Sequence, residues 1–128
     1  MSKRVIVTAS LTAEPPSGLA SGQSTLGVPT NVQIVCKATD DQSDIPLESD
    51  SARTINFGGG VTTAHVVKIA VRGGYVTARL TSESGSSQIV VIEPEMILIS
   101  KTIGYTALTL QRPAGVQVYC DVTLGEKS

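Results

Sequence analysis

The chain has 128 residues, of which 41% are apolar and 16% charged, with a formal net charge of −1, one histidine, one phenylalanine and no tryptophan. That length implies one domain able to bury a core without staples, and the charge balance argues against a nucleic-acid binder, which presents a basic face. The scarcity of histidine and aromatic residues argues against both a titratable catalytic cluster and an aromatic-lined pocket.

From the N-terminus, Lys3-Arg4 precede an apolar patch in the manner of a leader peptide. Thr8, Ser10 and Thr12 interrupt the patch before it reaches the roughly 7–15 apolar residues that a leader needs. Lys3–Thr12 is therefore read as a strand, and the chain is expected to be made in the cytoplasm. Glu14–Thr30 is rich in Pro, Ser and Gly and carries Leu19, Leu26 and Val28. It is read as an extended loop or arm, because a loop of that length is uncommon in a single domain and often functional. Asn31–Thr39 alternates as a strand. Asp40–Asp50 then holds five acids, Asp40, Asp41, Asp44, Glu48 and Asp50. It lacks the glycine and the bidentate glutamate of an EF-hand, and Ile45-Pro46-Leu47 divides it, so a solvated acidic loop is preferred to a calcium site.

Ala52–Phe57 reads as a strand, and Gly58-Gly59-Gly60 as a turn without the lysine of a phosphate loop. Val66–Arg72 and Tyr75–Thr81 flank Gly73-Gly74, a hairpin signal because primed turns need positive φ. Ser87–Ile92 and Met96–Ser100 follow, separated by Glu93-Pro94-Glu95. Within them, Ile89–Ile92 and Met96–Ile99 are apolar on both phases, as suits strands covered on both faces. In a sandwich the outer cover would be a loop or another subunit. Tyr105–Gln111, the turn Arg112-Pro113-Ala114-Gly115 and the alternating strand Val116–Leu124 complete the chain. No helical periodicity is sustained. The expectation is all-β: a single-domain antiparallel sandwich or jelly roll of about eight strands over residues 1–128, with 14–30 as its arm.

Cys36 and Cys120 both fall on the apolar phase of alternating runs, which favours small buried thiols. A disulfide between facing strands is the second reading, since sequence does not supply the Cα separation. With the distant His65 they show no metal-ligand spacing. His65 has no adjacent nucleophile, Ser84-Gly85-Ser86 lacks the strand–turn–helix context of a nucleophile elbow, and Glu93 and Glu95 are two acids in a turn. No catalytic residue, metal or cofactor is expected. Tyr75, Tyr105 and Tyr119 are read as interface residues together with Leu19, Leu26 and Val28, with Tyr75 and Tyr119 on the polar phase of their strands.

The succession Ile89-Val90-Val91-Ile92, a proline turn, Met96-Ile97-Leu98-Ile99, Tyr105–Leu110 and a Pro-Gly turn before the last strand resembles the small β-sandwich structural proteins of tailed-bacteriophage particles. These include cement or decoration proteins and neck or tail components. The resemblance spans Gln88 to Leu124 and carries over no site residues. It implies a protein of the virion that grips the major capsid protein or joins neighbouring virion proteins. Low charge and doubly apolar strands point to a homo-oligomer, most simply a trimer. Neither nucleic acid nor membrane is an expected partner. A carbohydrate- or receptor-binding module is the alternative, and an enzyme would require His65 or the acids to converge in a pocket.

Overall fold

Alternating sequences give the long strands one apolar face, and among the described residues nine strands form the two antiparallel sheets of a β-sandwich, with the core between β4, β5, β6, β8 and β9. The computed structural model describes residues 2–13 and 24–128, and among them there is no helix. The strands are β1 (Lys3–Ala13), β2 (Ser24–Leu47), β3 (Arg53–Thr54), β4 (Val66–Arg72), β5 (Val76–Ser82), β6 (Ser87–Ile92), β7 (Glu95–Ile99), β8 (Tyr105–Gln111) and β9 (Val118–Lys127). One sheet runs β1-β2-β9-β4-β7 and the other β3-β8-β5-β6.

The chain divides into two compact units. One, residues 4–34, contains β1 from Arg4 onward and β2 as far as Ile34. The other holds Val35–Ser128 with the first three residues. Its core joins Val67, Ile69 and Val71 of β4, Val118, Cys120, Val122 and Leu124 of β9, and Val76, Ala78 and Leu80 of β5. Leu108 and Leu110 of β8 and Ile92 of β6 close it. This is the aliphatic, β-branched interior that the composition requires when large aromatics are missing.

Four expectations are corrected. Gly73-Gly74 does not close a hairpin of paired neighbours: β4 pairs with β7 and β9, whereas β5 pairs with β6 and β8 in the other sheet. The buried faces of β4 and β5 meet across the sandwich, so the turn carries the chain between layers. Gly73 has φ +93°, and a Cβ on Gly74 would lie 3.0 Å from Val118 Cγ1. Second, the acidic stretch is strand as far as Leu47, with Asp40, Asp41 and Gln42 in register with Leu124, Thr123 and Val122. A bulge between Gln42 and Ile45 lets β2 continue, with Asp44 at φ +55°, a conformation that Asp tolerates better than most residues. Third, the stretch read as an arm enters β2 at Ser24, while residues 14–23 lie outside the described residues. Its Ser and Thr residues are compatible with either state until a neighbouring strand supplies hydrogen bonds. The strand expected at Ala52–Phe57 shortens to Arg53–Thr54, followed by one further backbone bond from Ile55 N to Leu108 O (2.9 Å).

Both cysteines are free and buried. Cys36 faces Lys127 at one end of the β2–β9 ladder and Cys120 faces Ile45 towards the other. The seven residue steps from Cys120 to Lys127 set them roughly 20–25 Å apart, far beyond disulfide reach. Burial pushes the Cys120 thiol up to about 11.

Glu126 is the one buried charged side chain among the described residues. Its Oε1 accepts hydrogen bonds from the N–H groups of Thr62 (2.7 Å) and Thr63 (3.2 Å) and from Thr62 Oγ1 (3.0 Å). Lys37 Nζ lies 3.3 Å from its other oxygen. The Thr62 N–H first, and these partners together, hold the carboxyl at about 2 against their opposing desolvation. The connection between β3 and β4 is thereby pinned to the end of β9.

Candidate functional site

Four of the five acids of residues 40–50 are engaged by different partners. Asp40 accepts hydrogen bonds from Gly58 N (2.8 Å) and Gln42 Nε2 (2.6 Å), and Asp41 accepts one from Thr123 Oγ1 (2.9 Å). Asp44 and Asp121 flank the Arg72 guanidinium, and Asp121 also accepts the Asp44 N–H (2.9 Å). Asp50 binds Arg112 Nε (3.0 Å) and Gly115 N (2.9 Å), which hold its carboxyl below the usual range. Among the described residues no three His, Cys, Asp or Glu side chains converge as a metal site would require.

His65 is built into the fold. Its Nδ1 accepts the Lys127 N–H (3.1 Å), which places the ring proton on Nε2. A Cβ on Gly104 would sit 3.1 Å from that Nε2, 2.7 Å from Glu83 Oε1 and 2.1 Å from Thr63 Cγ2, so this corner is tightly filled. Ser82 Oγ and Ser84 Oγ hydrogen-bond each other (2.9 Å). A hollow of about 320 Å³ at the β5–β6 turn is lined by four serines with Gln88, Ile103 and Tyr105, and neither His65 nor a carboxylate lines it. An adjoining hollow of about 140 Å³ shares Ser82, Ser84 and Ile103 with it and adds Glu83, Thr102 and Gly104. Glu95 is taken up by Lys68 (3.6 Å).

Of the expected interface residues, Val28 is 91% exposed, and Tyr75 and Tyr119 are also exposed. Tyr105 is corrected: it is only 8% exposed, belongs to the core, and donates its hydroxyl to Gln88 Oε1 (3.0 Å). It opens β8 on the inward phase, with the polar Thr106 turned outward in its place. Leu26 lies in β2, and Leu19 falls outside the described residues.

What the sequence left unassigned is the outer face of the four-stranded sheet. There Ile89 of β6, Arg79 of β5 and Thr109 of β8 form one cross-strand row, and Val91, Thr77 and Gln111 form the next. All of these but Val91 line, with Ala52, a shallow groove of about 400 Å³. Ile89 is 61% and Val91 65% exposed, on a strand with a neighbour on one side only. On the other edge of the sandwich's open side, Ile97 of β7 is exposed as well. The double apolar phase of these runs was the available signal, since one phase faces the core and the other faces outward.

No protein-family model matches the chain, and no curated protein or solved structure matches it either. No helix among the described residues is long and apolar enough to cross a membrane.

Proposed function

We propose that this is a non-enzymatic structural protein of a tailed-bacteriophage particle, which binds and stabilises the capsid or adjoining virion parts through contacts with itself and with neighbouring virion proteins. The observation that carries this reading is the pair of edge strands, β6 and β7, whose outward residues Ile89, Val91 and Ile97 are large, apolar and exposed. Apolar edge strands are an aggregation hazard for a protein that works alone, and a docking element for one that is covered in an assembly. The unit of residues 4–34 adds Ile6, Leu11 and Val28, also exposed. Hydroxyl-rich surfaces with scattered apolar anchors suit many weak contacts that add through multivalency.

A carbohydrate- or receptor-binding role would call for outward tyrosines around one concavity. Tyr105 lines the serine-rimmed hollow, but Tyr75 and Tyr119 do not, so the assembly reading is preferred. Mass spectrometry of purified particles made by the genome that encodes the chain tests it. The protein is expected in stoichiometric amounts, retained through gradient purification. Its absence from the particles would overturn the proposal.

A further inference from the structure

Natural sheets guard their edges with a charge, a proline or a bulge. On β7 the guard is Glu95, ion-paired with Lys68 of β4, and Lys68 itself lies in register with Ile97. Strand β6 has none: Ser87–Ile92 contains no charge and no proline, and it pairs with β5 at six consecutive positions without a register shift. Among the described residues no strand pairs with its other side. The turn sets which backbone groups face that side. Ser82 N–H donates to Ser86 O (2.8 Å), and hydrogen-bonded pairs recur at every second residue of an antiparallel ladder. Gln88, Val90 and Ile92 therefore direct their N–H and C=O groups to β5. Ser87, Ile89 and Val91 present theirs to the open edge.

We propose that this edge pairs with β6 of a second copy of the chain, antiparallel about a two-fold axis at Val90, so that the four-stranded sheet continues across the interface. In this register Ile89 faces Val91 of the second copy and Val91 faces its Ile89. Each such pair exchanges backbone hydrogen bonds through the groups left free, and four apolar side chains cover one another on the outer face. Moving the axis to Val91 would set Ile89 against a glutamate, and moving it to Ile89 would set Val91 against a serine. The charges fit the same register. Arg79, beside Ile89 on β5, has no ion-pair partner among the described residues, and Glu93, just after β6, has none either. Glu93 directly follows the last residue of β6, so the two-fold brings it to the end of the second copy's strand near Ser87, on the side of Arg79, twice over by symmetry. Such an edge pair closes on two copies, in place of the three-fold closure expected from the sequence.

A six-residue edge is smaller than the interfaces of about 1,200–2,000 Å² that hold stable complexes, so association is expected to depend on concentration. Light scattering on the full chain, from micromolar to millimolar concentration, should follow a monomer–dimer equilibrium. Val91→Pro removes an N–H that faces only the open edge, and Ile89→Lys places a charge on that edge. Each is expected to weaken dimerisation at least tenfold while far-ultraviolet circular dichroism stays unchanged. If Val91→Pro fails to fold, Ile89→Lys at its exposed position carries the test. Arg79→Glu should weaken the dimer and Arg79→Glu with Glu93→Arg should restore it, whereas Ile97→Lys on β7 should leave it unaffected. A monomer at every concentration, a trimer, or a dimer that survives Ile89→Lys would overturn the pairing. Association with particles is a separate readout and does not enter this result.

Discussion

At the scale of single residues, Glu126 carries the largest electrostatic contribution visible in the fold. Its folded carboxyl sits at about 2, below the ordinary value of 4.5, so the unfolded chain takes up the proton more readily. The stabilisation is complete above about pH 4.5 and is lost as the pH falls towards about 2. A shift of this size corresponds to on the order of 3 kcal/mol. Glu126→Gln is expected to lower the unfolding free energy by about 1–3 kcal/mol near neutral pH and to flatten its fall between pH 5 and 2. Urea denaturation across that range checks both. Equal acid sensitivity in the two proteins would mean that another group is responsible. None of this was legible in the sequence, because the N–H groups that Glu126 satisfies belong to Thr62 and Thr63, far away along the chain. The burial of Cys36 and Cys120 was legible, since alternation alone put them on the apolar phase. Tyr105 was misread because an aromatic with a hydroxyl fits either phase, and only Gln88 at 3.0 Å gives that hydroxyl a partner inside.

At the scale of elements, periodicity located most strands to within a few residues and failed where polar side chains serve a strand. Asp40 and Gln42 read as loop residues, yet both lie in β2, tied to the connection that follows β3 by bonds to Gly58 N and Asn56 O. The triple glycine, read as a flexible turn, is the other half of that contact. Gly59 has φ +63°, and a Cβ there would fall 2.2 Å from Thr39 O of β2. Backbone must approach backbone at this point, and the carbonyl has no rotamer to move away. Gly59→Ala is therefore expected to destabilise the protein by about 2–4 kcal/mol, combining positive-φ strain with overpacking. Gly85→Ala is the control, with the same sign of φ and open space around it, and should cost about 1 kcal/mol. Thermal melts of the two variants separate the clash from the strain, and similar losses would refute the close approach.

At the scale of the whole molecule, every member of the buried core cluster lies between Ile45 and Leu124, while the exposed Ile6, Leu11 and Val28 belong to the unit of residues 4–34. A chain lacking residues 1–30 is accordingly expected to keep a cooperative thermal transition within a few degrees of the full chain, and to lose at least tenfold in binding to particles. Calorimetry and co-sedimentation read the two effects, and unimpaired binding would remove the N-terminal unit from the proposed contact surface. Alternation along the chain determined that the protein is all-β, which residues turn inward, and that β6 and β7 have an apolar side to spare. Only the tertiary structure decided that Gly73-Gly74 crosses between sheets, that the acids extend a strand, and that β6 lies unguarded at an edge. The physical reason is that a period of two encodes a face and not a neighbour. Strand partners are chosen by contacts between residues far apart in sequence, which local pattern does not record.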